Sequence, residues 1–333
     1  MEAHLNNLSR DEAIGRFLNR CGWGDAERHP LAGDASFRRY DRIRGPRGRA
    51  VLMDAPPPEE DIRPFVTVAR HLSATGLAAP AILDEDAEAG FLLLEDLGDS
   101  IYTRVLIGSD NEITLYVAAI EALAVLHRAA LLHDLPPYDD DLLHFELSLL
   151  TDWFMPLAGL ELTAEGRDEF VALWDDLFPL ARRLPDVVVL RDYHADNLLW
   201  LPERDGVKRV GQLDFQDAVI GPASYDIVSL LKDARRDVAP ETVEAAIESY
   251  LAAFPSLDRA DFETSCAVMG AHRNLKIAGI FCRLLTRDGK PGYQDYMPRV
   301  WGHLAHELRH PALAPLTDWL DRWIPSEKRT RAA

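Results

Sequence analysis

Short apolar runs separated by turn residues fill the first third of the chain, and a helical period takes over from about Asp110. Ser9 followed by Glu12 is a capping-box pair, and Ile14, Phe17 and Leu18 give the helix behind it one apolar stripe. Leu31–Ile43 reads as strand, turn, strand, and Ala50–Ala55 as a further strand stopped by Pro56-Pro57-Pro58. A helix is expected from about Pro64 to Ser73, since proline is tolerated in a first turn. Ala81–Leu83 and Gly90–Gly98, with a turn at Asp84–Glu88, complete an N-terminal sheet. Tyr116, Ile120, Leu123, Ala124 and Leu126 then mark a helix ending at His127, a residue expected to cap or pack. Further helices are expected over Leu142–Phe154, Thr163–Leu184, Ser224–Asp233, Pro240–Phe254, Asp261–Arg287 and Tyr296–His310. The pattern predicts an α+β fold, a small antiparallel sheet lobe over residues 1–95 and a larger helical lobe over 96–333.

Two strand-like stretches interrupt the helices. Val188–Leu190 and Leu198–Trp200 flank a polar loop carrying Asp192, His194, Asp196 and Asn197. Val210–Leu213 follows and ends in Asp214. Pro202–Gly206 contains an Asp-Gly turn signal, so a hairpin is expected to bring Asn197 and Asp214 together.

Composition narrows the classes. At 333 residues, 47% hydrophobic and 27% charged, the chain is expected to be a globular protein. No apolar run approaches the roughly 20 residues of a membrane span, and Met1–Asn7 has no signal-peptide character. Cys21, Cys266 and Cys282 are scattered and odd in number, which fits a reducing cytoplasm and argues against zinc. A net charge of −19 argues against nucleic-acid binding. A monomer is the expected state.

Asp192 and Asn197 are five residues apart, the spacing of the Asp and Asn in a protein-kinase catalytic loop, and Asp214 falls where a kinase places its second metal ligand. In that chemistry the Asp takes the proton of an attacking hydroxyl, while Asn and the second Asp hold magnesium on the phosphates. In isolation each stretch also reads as an ordinary strand–loop–strand with solvated acids. The turn at Gly33–Phe37 offers backbone N–H groups and Ser36 to phosphate oxygens, although a single glycine equally suits a plain hairpin.

The combination resembles the aminoglycoside phosphotransferase family, with its two-lobed protein-kinase-like fold, over nearly the whole chain. The resemblance implies Asp192 as catalytic base, Asn197 and Asp214 as Mg²⁺ ligands, and Asp226 in Gly221–Ile227 as a structural buttress of the catalytic loop. It implies nucleotide binding by Ser36, Phe37, Arg38 and Arg39 and by the backbone of a hinge at Glu95 and Leu97. Two positions depart from the family pattern. Leu190-Arg191 replaces the usual His-Gly, and Met53 stands where the kinase lysine is expected. Arg38 or Arg39 is then the candidate replacement cation; adjacent strand residues face opposite ways, so only one can serve. Within the family, Gly33–Tyr40, Val51–Pro56, Phe91–Asp99 and Arg273–Leu284 are similar to the bacterial anomeric kinases for N-acetylmuramate and N-acetylglucosamine, which share the methionine. That likeness implies an ATP-dependent kinase making a sugar α-1-phosphate in peptidoglycan recycling, on a route that bypasses fosfomycin-sensitive synthesis.

Other readings remain open: a kinase of the same fold for an aminoglycoside, choline, homoserine or a ketosamine; a non-catalytic nucleotide-binding module; a metal-dependent hydrolase using Asp192, His194 and Asp196. Arg191 has a possible role near the transferring phosphate, or pairs with an acid. On the helix near Arg273, the cations Arg273, Lys276, Arg283 and Arg287 share a stripe about 80° wide. They are candidates to bind the lactyl carboxylate of an acidic amino sugar, with internal ion pairs as the alternative.

Overall fold

The computed structural model describes residues 9–31, 37–108 and 111–329. The chain divides into two compact units, Met1–Val105 with Asn197–Asp217, and Leu106–Asp196 with Ala218–Ala333. The expected division lay at the hinge, between residues 95 and 96; the first unit runs on to Val105 and takes in the hairpin segment.

In the first unit, α1 (Arg10–Arg20) starts at the capping box: the Ser9 N–H donates to Glu12 Oε2 at 3.0 Å, and Ser9 Oγ accepts the Glu12 N–H at 3.4 Å. Its Ile14, Phe17 and Leu18 are buried with Ile43, Ala50, Leu52 and Leu93 of a five-stranded antiparallel sheet. The strands are β1 (Glu27–Pro30), β2 (Arg39–Gly45), β3 (Gly48–Asp54), β4 (Ile82–Asp86) and β5 (Phe91–Glu95), in the order β1-β2-β3-β5-β4. Two helices complete this part, α2 (Arg63–Ala74) and the single turn α3 (Tyr102–Val105). β1 was not expected. Every residue in it is exposed, so it has no alternation to read, and as an edge strand it can end in Pro30. β4 continues through Asp86, where a turn was expected from Asp84; it is the other edge, where charged residues are tolerated.

The second unit is helical: α4 (Glu112–Arg128), α5 (Asp140–Leu149), α6 (Met155–Leu157) and α7 (Ala164–Ala181), followed by β6 (Asp186–Val189). The hairpin strands β7 (Leu198–Trp200) and β8 (Val210–Gln212) belong to the first unit. The chain then adds β9 (Val219–Pro222), α8 (Ser224–Leu231), α9 (Pro240–Ala253), α10 (Arg259–Asp288), α11 (Met297–Glu307) and α12 (Ala314–Trp323). α10 is the spine of this unit and packs against α5, α7, α8 and α11. Gly279 lets it meet α5 directly: a Cβ there would lie 2.2 Å from the Leu149 carbonyl carbon. At that contact the α-helix expected to reach Phe154 gives way to a π-helical turn over Leu150–Phe154. His127 packs as expected, its Nδ1 2.8 Å from the Tyr250 hydroxyl, and burial pulls its pKa down to about 3.

The two flanks of the polar loop do not pair with each other. β6 pairs with β9, whereas β7 pairs with β8 in the expected hairpin. The hairpin is tied to the rest of its unit by the Gln212 N–H on the Ala78 carbonyl and the Trp200 N–H on the Ser100 carbonyl, both 2.8 Å. Among the described residues, no helix is long and apolar enough to cross a membrane.

Candidate active site

In the first unit the register of the sheet decides which side chains share a face. Met53 lies opposite Tyr40 and Leu92, and Val51 lies opposite Arg42 and Leu94. Directly paired residues point the same way, so Tyr40, Arg42, Val51, Met53, Leu92 and Leu94 share the face away from α1. On that face lies a cavity of about 330 Å³ whose wall includes Arg38, Tyr40, Arg42, Val51 and Leu94. Met53 is 1% exposed, a buried thioether at the position where the family pattern has lysine. Arg38, two residues before Tyr40, reaches the same wall. Its guanidinium lies 3.7 Å from Asp214 Oδ1 and 3.8 Å from Glu60 Oε2. Arg39 is exposed and Phe37 is 66% exposed, and neither contributes to the wall. Ser36 lies outside the described residues.

The hinge residues Glu95 and Leu97 both line the cavity. Glu95 spends its N–H on the Ala81 carbonyl at 2.8 Å, and its carboxylate pairs with Arg204 at 2.5 Å. The hairpin supplies the cavity's polar end. The Leu213 N–H donates to the Asn197 carbonyl, and Asn197 Nδ2 stands 3.4 Å from Asp214 Oδ2, so the expected pair is together. Asp214 has φ 57°, a left-handed conformation that non-glycine residues adopt rarely and chiefly at functional sites. Gln216 Nε2 also donates to Asp214 Oδ1, at 2.9 Å. Sequence reading missed Arg42, which pairs with Asp96 and Asp99, each at 2.9 Å, along the cavity wall. The strand alternation that set Arg38 against Arg39 could have found it, since 38, 40 and 42 fall on one face.

In the second unit, β6 delivers Leu190, Arg191 and Asp192. The buried Asp226 carboxylate on α8 accepts the Leu190 N–H at 2.6 Å and the Arg191 N–H at 2.9 Å. Burial raises its pKa to about 7, against the pull of those two donors. Arg191 has φ 68°, and among the described residues it joins Asp214 as a non-glycine residue in the left-handed region. Its guanidinium pairs with Glu146 of α5, which also accepts from Lys276 Nζ at 2.6 Å and the Tyr138 hydroxyl at 2.5 Å. Burial would raise Glu146, but Lys276, His272 and Arg191 bring it down to about 2. No sequence signal marked Glu146. Asp192 itself is exposed, and His194 is buried, its pKa lowered to about 4 by burial.

The four cations of the α10 stripe do not act as one group. Arg273 is buried and reaches the Lys232 carbonyl at 3.5 Å; Lys276 is committed to Glu146; Arg287 is exposed and pairs with Asp288 at 2.7 Å. Arg283 forms no ion pair among the described residues, and burial lowers its pKa, with Arg287 adding to the effect.

The model of the phosphotransferase enzyme family matches residues 27–262, spanning the sheet, the polar loop and the Asp214 hairpin. The chain belongs to this family. Two relatives of this phosphotransferase match it almost end to end. An N-acetylmuramate/N-acetylglucosamine kinase of Caulobacter vibrioides is 40% identical, over 96% of this chain and 98% of its own length. One of the same name from Pseudomonas aeruginosa is 40% identical, over 95% and 97%. Among solved structures, the streptomycin-ATP-APH(2")-IIa ternary complex superposes with a TM-score of 0.60 over 93% of this chain and 99% of that one, at 17% identity. The protein-kinase-like fold expected from the motifs is therefore the fold of this phosphotransferase.

Family membership implies a nucleotide and a divalent cation. Among the described residues, no group of three or more His, Cys, Asp or Glu could hold a metal by itself. Asn197 and Asp214 offer hard oxygens 17 residues apart in sequence and in contact in space. That donor set fits magnesium, which is commonly held by one or two protein oxygens while phosphates and water fill the rest.

Proposed function

We propose that this phosphotransferase transfers the γ-phosphoryl group of ATP to the anomeric hydroxyl of N-acetylmuramate and N-acetylglucosamine, giving the α-1-phosphate. The carrying observation is that relatives of that name match it at 40% identity across nearly the full length of both chains. The cavity of the first unit takes the nucleotide, with Glu95 and Leu97 beside the base and Arg38 at the phosphates in place of the missing lysine. Asn197 and Asp214 hold magnesium, which when bound neutralises charge on the phosphates.

A sugar hydroxyl is a weak nucleophile at neutral pH, so a base must accept its proton as the bond to phosphorus forms. Asp192, exposed at the end of a loop anchored by Asp226, takes that role. The new sugar O–P bond forms, the bond between the γ-phosphorus and the bridging oxygen breaks, and ADP leaves with that electron pair. His194, neutral and buried, orients the loop and does not carry charge to the substrate. The product is an activated sugar suited to conversion into a UDP-linked cell-wall precursor. The three unpaired cysteines suit the reducing cytoplasm where ATP is available.

The test is a panel of free amino sugars, choline and an aminoglycoside with ATP and magnesium, read by phosphorus NMR. An anomeric phosphate doublet with the two N-acetyl sugars is expected. Phosphate on another hydroxyl, or turnover of choline or the aminoglycoside alone, would replace this reading. Tight nucleotide binding with no transfer to any acceptor would make the chain a binding module.

A further inference from the structure

Arg191 is the central residue of a three-residue turn. The Asp192 N–H closes onto the Leu190 carbonyl at 2.8 Å, and Arg191 sits at φ 68°. A turn of this hand is strained for any residue with a side chain, and glycine is its natural occupant. Here an arginine holds it, one residue before the carboxylate that takes the proton.

The turn is over-determined by its surroundings. Asp226 accepts the N–H groups on either side of the Leu190 carbonyl, and Ser229 Oγ donates to the Arg191 carbonyl at 3.3 Å. These bonds fix the backbone, and a glycine could satisfy them equally well. The side chain is held separately: Glu146, 2% exposed, accepts Arg191 on Oε1 together with Lys276, and accepts Tyr138 on Oε2. The Arg191 guanidinium also lies over the Tyr138 ring, 5.8 Å from its centroid. Both carboxylate oxygens are thus occupied, and one buried anion joins α5, α10 and the loop.

We propose that Glu146 is a positioning residue: by anchoring the Arg191 side chain it holds the strained turn, and through the turn it sets where Asp192 stands. This rests on the reading of Asp192 as the base. It explains how a chain that lacks glycine at this position keeps the loop geometry that glycine would otherwise permit. A carboxylate whose oxygens are both occupied by protein donors has no place for a substrate anion, so the cluster sets geometry and does not read the sugar.

The experiment is a double-variant cycle with Glu146→Gln, Arg191→Gly and both together, each measured for kcat, both KM values and thermal melting. Misplacing a reacting group by about 1 Å can cost about 10²-fold, so Glu146→Gln is expected to lower kcat by about 10–100-fold with both KM values changed less than about twofold. Arg191→Gly relieves the turn and is expected to lose less. In kcat the combined variant should be no worse than Arg191→Gly alone, because no Arg191 side chain is left to anchor; Lys276 and Tyr138 still lose their carboxylate, which lowers the melting temperature and leaves the turn untouched. Additive losses in kcat, or an unchanged kcat in Glu146→Gln, overturn the proposal. So does a rise confined to the sugar KM, which would make the cluster a substrate site. If Glu146→Gln does not fold, Arg191→Met takes its place, since it removes the anchored side chain and leaves Lys276 on Glu146; an unchanged kcat there overturns the proposal as well. Melting temperatures separate this idea from the assigned reaction. Wild-type protein inactive on every amino sugar sinks the reaction, whereas additive melting losses in the cycle sink the anchor.

Discussion

The guanidinium of Arg38 lies 3.7 Å from the carboxylate of Asp214 and is only 14% exposed, so the cation beside the proposed metal ligand comes from the residue just before β2. Met53 leaves no ammonium on β3; of the cations on its side of the sheet, Arg42 is paired with Asp96 and Asp99, and Arg38 is the one beside Asp214.

Arg38→Ala is therefore expected to raise the KM for ATP or lower kcat by about 10–100-fold, the value of one charge-assisted hydrogen bond. Arg39→Ala, on the exposed opposite face, should stay within about twofold of wild type. Equal, small effects would mean that backbone N–H groups suffice for the phosphates.

Asp192 is exposed, whereas Asp226, which anchors the loop, is fully buried. Asp192→Asn should keep the melting temperature and ATP affinity, while kcat falls by about 10²–10⁴-fold. Undiminished turnover would remove Asp192 from the mechanism.

Asp214 contacts Asn197, Gln216 and Arg38. Asp214→Ala should abolish transfer and also weaken Mn²⁺ binding measured by paramagnetic relaxation in the presence of ADP. A variant with wild-type Mn²⁺ affinity would show that Asp214 serves structure alone.

Glu146 has a pKa lowered in the fold from 4.5 to about 2. A carboxylate depressed by folding contributes stability that is present above its unfolded pKa and is lost as pH falls through the folded value. Its share, up to about 3 kcal/mol by the shift, should fade between about pH 4.5 and 2. Melting curves of wild type and Glu146→Gln should then converge across that window. A constant separation would mean that the carboxylate is not held charged by Lys276 and Arg191.

On α10, Arg287 is spent on Asp288, while Arg283 has no carboxylate partner among the described residues. Arg283→Ala is expected to lower kcat/KM for N-acetylmuramate by about tenfold or more and to spare N-acetylglucosamine, since only the former brings an anion. Arg287→Ala should change neither. Equal losses for both sugars would assign Arg283 to packing.

What the sequence determined by itself was local. The Ser9–Glu12 cap, the Asp-Gly hairpin that seats Asn197 against Asp214, and the run of α10 all follow from hydrogen bonds and periodicities within a few residues. The reaction class was legible for the same reason: the five-residue spacing of Asp192 and Asn197 and the strand that ends in Asp214 are short-range sequence patterns, and the family match bears the class out. Tertiary structure decided which arginine faces the cavity, because that depends on Met53 lying opposite Tyr40 across two strands. It decided that β6 pairs with β9 and not with β7, a choice made by partners more than 20 residues away that no local pattern records. It also decided that Glu146, an ordinary acid in a helical sequence, would be buried. Its partners Arg191 and Lys276 are 45 and 130 residues distant, and only packing of α10 on α5 brings their charges onto one carboxylate.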